Sequence, residues 1–470
     1  MKIISKTIRL LPLFLFSFAF QACSDDDDNG TVVLDPLNIV ELASANPNLT
    51  SLVLALQAAD GDLVNLLSGS GPFTVLAPTN EAFAAFLGDN ELSDISTDVL
   101  EQVLLNHVIS ADLSASDLTG LGAGYTSTNA DGPEEQKLSI YFNTSSDVRF
   151  NNVSSVVSGG ADIDASNGTI HLVDAVIGLP TIVDHALANP GFSNLVLALQ
   201  AADGDLVGVL GGAGPFTVLA PNDDAFAAFL DGTPLGDVPT DALANILLNH
   251  VVGGAITSTA LVGLGNDYTN TLATGPNDNN ISLYFKTDDG VRFNGVSSVA
   301  TADVVGTNGI IHAVDAVIDI PSIVTFATAD PNFSTLVTAL TELTPATDFV
   351  ATLSTGNGTS PAPFTVFAPT NDAFAALAAI PDEPVLTQVL LHHVLGDANV
   401  TSTNLIDAGG ASPTMLNGQA ITISLPGTGD NIADVTDGAG NTDIGIIAVD
   451  VQAGNGVIHV LNKVMLPAED

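Results

Sequence analysis

Apolar residues at Leu49, Leu52, Val53 and Leu56 follow the i, i+3, i+4, i+7 spacing of one helix face. The spacing returns at Phe192, Leu195, Val196 and Leu199, and again at Phe333, Leu336, Val337 and Leu340. Asn46-Pro47, Asn189-Pro190 and Asp330-Pro331 precede these runs, each a side-chain acceptor followed by a proline suited to the first helical position. A short apolar segment follows, FTVLA or FTVFA, and reads as a strand stopped by Pro78, Pro221 or Pro369. Thr79, Asn222 and Thr370 can cap the next helix, which buries Phe83, Phe226 and Phe374. A third helix carries Leu100, Val103, Leu104 and His107 on one face. The pattern then switches to period two, as in Leu138 to Phe142 and Ile281 to Phe285. Asn167-Gly168, Asn308-Gly309 and Asn455-Gly456 predict type I′ hairpin turns. Helices come first and strands dominate later, which defines an α+β domain.

These elements form one unit written three times. PFTVLAPT begins at Pro72, PFTVLAPN at Pro215 and PFTVFAPT at Pro363. LLNHV ends at Val108 and at Val251, and LLHHV ends at Val394. NGTIH, NGIIH and NGVIH end at His171, His312 and His459, and each copy closes on a proline, Pro180, Pro321 or Pro467. At this length a repeat is a domain with its own core, and 470 residues accommodate about three. The boundaries fall at 36–180, 181–321 and 322–470.

The N-terminus has a different character. Lys2, Lys6 and Arg9 precede an apolar stretch from Leu10 to Phe20, and Ala22 stands just before Cys23. Residues 1–22 read as a signal peptide, too short in its apolar part to span a bilayer. Phe20-Gln21-Ala22-Cys23 resembles the lipobox of bacterial lipoproteins, with Cys23 as the lipid anchor. Residues 23–35 form an acidic tether. Its Asp25 to Asp28 run looks like the signal that sends Bacteroidetes-type lipoproteins to the cell surface. The expected location is the outer membrane, lipid-anchored and surface-exposed. Cys23 is the sole cysteine, so no intramolecular disulfide can form.

Charge narrows the function. Beyond the leader the basic residues are Lys137, Arg149, Lys286, Arg292 and Lys463, against 53 acidic residues in the chain. Nucleic acid and anionic lipid headgroups both require clustered Lys and Arg, so both are excluded as partners, and the only membrane contact expected is through the lipid.

With the motifs assembled, each repeat resembles a fasciclin domain. FTVLAPTNEAF (Phe73–Phe83), FTVLAPNDDAF (Phe216–Phe226) and FTVFAPTNDAF (Phe364–Phe374) are similar to the first family motif, and GTIHLVDAVI (Gly168–Ile177), GIIHAVDAVI (Gly309–Ile318) and GVIHVLNKVM (Gly456–Met465) to the second. The resemblance implies three tandem domains, each an antiparallel β-wedge or sandwich with flanking helices. It also implies an extracellular adhesive role, with matrix, polysaccharide or the surface proteins of other cells as partners. Family members that bind integrins are reported to use a Tyr-His pair in the central motif. The matching positions here are Asn106-His107, Asn249-His250 and His392-His393, so that role does not carry over.

Candidate chemistry concentrates on histidine and aspartate. His107, His250 and His393 follow apolar residues on one helix face, which suits neutral histidines bonded inside a core. His171, His312 and His459 sit in the second motif. Asp174 lies three residues from His171, on the opposite face of a strand, and Asn462 replaces it in the third copy, so a Ser-His-Asp relay is geometrically poor. A metal shared by His107 and His171 lacks the ligand spacing of a known site. Asp60-Gly61-Asp62, Asp203-Gly204-Asp205, Asp288-Asp289-Gly290 and the segment Asp434 to Asp443 read as surface turns, with weak calcium binding as the alternative. The expectation is therefore a non-catalytic adhesion protein without cofactor or metal centre. Its six motif histidines are structural or possible binding residues. The alternatives are an envelope spacer and, further off, a hydrolase with a cleft between repeats.

Overall fold

The computed structural model describes residues 36–408 and 410–469. The leader, Cys23 and the tether lie outside the described residues. Among the described residues, no single helix is long and apolar enough to cross a membrane.

Each repeat begins with a capped helix, Ile39–Ala45, Ile182–Ala188 or Ile323–Ala329. Asn38 with Glu41, Thr181 with Asp184 and Ser322 with Thr325 form reciprocal capping pairs there. The Asn-Pro or Asp-Pro pair opens a 3-10 turn that runs into the second helix, Thr50–Ala58, Ser193–Ala201 or Ser334–Thr341. Leu49, Leu52 and Leu56 of the first run are buried as the spacing predicts. Thr79, Asn222 and Thr370 accept the N–H of Ala82, Ala225 and Ala373, so the expected caps are present.

The motif strand Phe73–Pro78 pairs in parallel with Gly168–Val173 over six residues. Phe216–Pro221 with Gly309–Val314 and Phe364–Pro369 with Gly456–Leu461 repeat that ladder. The remaining strand pairs within the domains are antiparallel, so the wedge is antiparallel except for this one ladder joining the two motifs. In the second repeat the strands close into a barrel.

The Asn-Gly pairs are not type I′ turns. Ala165 pairs with Gly168, so the turn residues are Ser166 and Asn167, and Asn167 does not have positive φ. Glycine follows because a Cβ at Gly168, where φ is +147°, would lie 1.9 Å from the Phe73 carbonyl oxygen. The asparagine acts as a staple: Asn167 Oδ1 accepts the N–H of Ile39 at 3.0 Å, and its Nδ2 donates to Leu67 O and Gly69 O, each at 2.7 Å. Asn308 and Asn455 make the equivalent bonds in their own repeats.

From Leu37 onward the repeats form one contact unit. The strands Lys137–Asn143 and Asn280–Lys286 are buried at five consecutive positions, not at alternate ones, because the following repeat covers their outer face. Ser139 Oγ accepts the N–H of Val305 in the second repeat, and Ser282 Oγ accepts that of Gln452 in the third, both at 3.0 Å. Tyr125 packs against Tyr141 with the rings tilted by 55° and meets His185 edge-on; Tyr268 packs against Tyr284 with a tilt of 53° and meets Phe326 edge-on. The chain's four tyrosines are thus all placed at the two joints.

Candidate functional site

His107 follows the helix Thr97–Leu105 and is fully buried. Its Nδ1–H donates to Val103 O at 2.7 Å and its Nε2 accepts the N–H of Ile177 at 2.9 Å. These partners fix the neutral tautomer, because one is a carbonyl and the other an amide donor. His250 bridges Ile246 O and Ile318 N, and His393 bridges Val389 O and Met465 N, in the same way. Burial pushes the pKa of all three down to about 4, against the opposing pull of the helix carbonyl. Each ring pins the first half of its repeat to the last residue of the second motif, Ile177, Ile318 or Met465.

His171, His312 and His459 use the opposite tautomer. Nε2–H donates to Leu113 O, Ile256 O or Val400 O at 2.8–2.9 Å. Nδ1 accepts the N–H of Asp162, Asp303 or Asp450. These aspartates have left-handed φ, and their carboxylates accept the N–H of Ala115, Ser258 or Ser402, the first residue of a helix earlier in the same repeat. Ser258 and Ser402 also donate their hydroxyls to them. A serine, an aspartate and a histidine therefore meet, but the aspartate reaches the ring through its backbone N–H. In the second repeat the carboxylate stays 3.9 Å from the ring nitrogen. The histidine's other nitrogen is spent on a carbonyl, so no proton can pass from serine to imidazole. Asp174 lies past the strand end and accepts the N–H of Ser155 instead.

The positions of the integrin-binding tyrosine are buried. Asn106 Nδ2 donates to Gly178 O and its Oδ1 accepts from Thr128; Asn249 does the same with Asp319 O and Thr271. His392 bonds Asn417 and the N–H of Gly438. The acidic clusters serve local structure. Asp60 accepts from Thr97, Asp205 caps the helix Leu206–Leu210, Asp434 accepts from Thr428 and Asn431, and Asp437 from Asn441 and Leu466. Among the described residues, no three His, Cys, Asp or Glu side chains converge as metal ligands would.

An apolar gap recurs in each repeat between the first two helices and the motif strand, at about 10, 30 and 50 Å³ from first to third. Such volumes have room for a few waters at most, well short of a ligand pocket of roughly 300 Å³ or more. A cleft of about 370 Å³ opens where the first repeat meets the second, beside Asn151, Val153, Leu179 and Leu187. Its one titratable lining residue is Asp184, whose carboxylate already caps its own helix. Exposed apolar side chains do recur. The helix Ala115–Leu121 presents Leu121 at 66% exposure, Ser258–Leu264 presents Leu264 at 61%, and Ser402–Ala408 presents Ile406 at 63%. Ile406 stands two positions earlier in its helix than Leu121 and Leu264 do in theirs. The sequence reading missed these exposed side chains, and it missed His185, whose Nε2–H donates to Val305 O in the first joint. The available signal for His185 was its place on a helix face otherwise filled by Leu42 and Phe326.

Fold and side chains together define a tandem array of α+β modules whose histidines serve as internal fasteners. The fasciclin domain matches residues 47–180, 190–321 and 331–467, and the chain belongs to that family. It is 43% identical over 141 residues to protein sll1483 of Synechocystis, covering 29% of this chain and 72% of that protein. It is 27% identical over 458 residues to pig transforming growth factor-beta-induced protein ig-h3, and 28% identical over 426 residues to human periostin. Those alignments cover 93% and 86% of this chain but only 58% and 44% of the relatives' lengths. A solved fasciclin domain pair from the insect cell adhesion molecule fasciclin I aligns with a TM-score of 0.37 at 21% identity, over 58% of this chain and 97% of that one.

Proposed function

We propose that this chain is an adhesion protein displayed outside the cell, held to the outer membrane by a lipid on Cys23, and without catalytic activity. Its partners are matrix, polysaccharide or the surface proteins of other cells. Family membership supports binding in general. The observation that carries the reading further is the aliphatic side chain presented on the same helix of every repeat, at Leu121, Leu264 and Ile406. Three linked weak contacts give an avidity far above any single one. The bonding of the motif histidines supports a structural role for them, because both nitrogens of each ring are engaged. Weak calcium binding by the acidic surface is the accessory element of this reading.

Beads carrying the full chain test it, with capture measured on matrix preparations, polysaccharides and whole bacterial cells. Leu121→Asp, Leu264→Asp and Ile406→Asp should each weaken capture modestly, and the triple variant should abolish it. Unchanged capture by a folded triple variant would remove these helices as the site. No capture of any material by the wild type would favour the spacer.

A further inference from the structure

Each repeat starts on its own last hairpin. Leu37 O accepts the N–H of Ser166 at 2.9 Å, Pro180 O that of Thr307 at 2.8 Å, and Pro321 O that of Gly454 at 2.8 Å. Two residues after each of these carbonyls, the N–H of Ile39, Ile182 or Ile323 is held by the asparagine staple. That asparagine immediately precedes the last strand, whose far end leads to Pro180, Pro321 or Pro467. The chain therefore enters a repeat at one end of the last strand and leaves from the other. The sequence separations closed by the staple are 128, 126 and 132 residues.

We propose that this arrangement is a mechanical clamp, so that tension along the chain runs through the staples and the last strands while most of each repeat stays out of the force line. The inference rests on the tethered adhesive role proposed above, in which a pull enters at the anchored N-terminus. A second barrier stands behind the staple. If the starting helices peel away, force reaches the Phe73 end of the motif strand while the exit pulls on the Val173 end of its parallel partner. Opposed forces on parallel strands load all the rungs together in shear, whereas hairpin strands pulled at their open end unzip rung by rung. The same six-residue ladder stands in all three repeats.

Single-molecule pulling on the full chain, held at its two ends, tests the clamp without any ligand. Forced unfolding reports the unfolding barrier. The wild type should give three discrete ruptures. Each should release about 40 nm, the span of some 130 residues at ~3.4 Å per residue. Asn308→Ala should lower one rupture force to roughly half and leave the other two unchanged. Leu243 is buried in the core of the same repeat on the helix Thr240–Leu248, away from the force line, so Leu243→Ala should lower thermal stability with little change in rupture force. If Asn308→Ala does not fold, Asn308→Asp keeps the acceptor, loses the two donors and should also weaken one rupture. Featureless extension of the wild type would overturn the clamp. So would equal mechanical softening by Asn308→Ala and Leu243→Ala. Bead capture reads the adhesive role separately, so either idea can fail alone.

Discussion

The hydroxyl of Ser139 accepts the backbone N–H of Val305, 166 residues further along the chain. Ser282 and Gln452 stand in the same relation across the second joint, 170 residues apart. A hydroxyl on a strand that reads as half solvent-exposed is thereby the buried partner of the next domain. The third repeat places Thr422 and Ser424 on the matching strand, and both are exposed. No tyrosine occurs in that repeat.

The joints should couple the repeats thermally. Ser139→Ala leaves the N–H of Val305 buried without an acceptor, a cost of about 1–3 kcal/mol. Combined with Tyr125→Ala it should split the first repeat's calorimetric transition from the other two. The chain has no tryptophan, so tyrosine emission reports the joints directly. A double variant that still melts in one unsplit transition would show that the joints transmit nothing.

Acid should loosen the repeats through His107, His250 and His393. Their folded pKa of about 4 lies below the ordinary 6.5, so the native state holds them neutral while the unfolded chain takes up protons. Their contribution is complete above about pH 6.5 and is lost as pH falls towards 4, up to roughly 3 kcal/mol per histidine. Ordinary carboxylates titrate near pH 4, so the interval from pH 6.5 to 5 isolates the imidazoles. The thermal midpoint should fall across that interval. His107→Ala should destabilise the first repeat by about 1–3 kcal/mol and flatten its pH slope. A midpoint independent of pH there, or a fully stable His107→Ala chain with weakened binding, would reverse the structural assignment.

Salt should stabilise the chain. The ion pairs Lys137–Asp131, Lys286–Asp288 and Lys463–Asp443 are all exposed and contribute little. Most of the carboxylates repel one another across water, and the screening length shortens from about 10 Å at 0.1 M salt to about 3 Å at 1 M. Sodium and potassium should raise the midpoint equally. Calcium should add nothing to the midpoint beyond magnesium at matched ionic strength, but should promote clumping of beads that display the protein. A salt-independent midpoint would sink the electrostatic account, and clumping indifferent to chelator would remove calcium from adhesion.

Anchoring is tested at Cys23. Cys23→Ala should release the protein from the membrane fraction or leave it unprocessed. Normal processing with lipid still detected by mass spectrometry would be incompatible with the proposed anchor.

The sequence by itself determined the threefold repeat, the helix faces, the caps and the core place of the helix histidines. All of these follow from short-range rules: helical spacing, an oxygen-bearing residue before a helix, a proline after a strand. His107 was legible because an imidazole one turn beyond Val103 on an apolar helix face comes within reach of that residue's carbonyl. Tertiary structure decided what depends on partners more than 100 residues away. The Asn-Gly pairs looked like turns, but Asn167 serves the start of its domain and Gly168 makes room for Phe73. Leu138 to Phe142 alternates as if one face met water, yet Ser139 and Tyr141 are buried because a second copy of the same fold covers them. Period two records that the two faces differ in chemistry. Whether the polar face meets solvent or a neighbouring domain is set by a surface that forms only when the next repeat has folded.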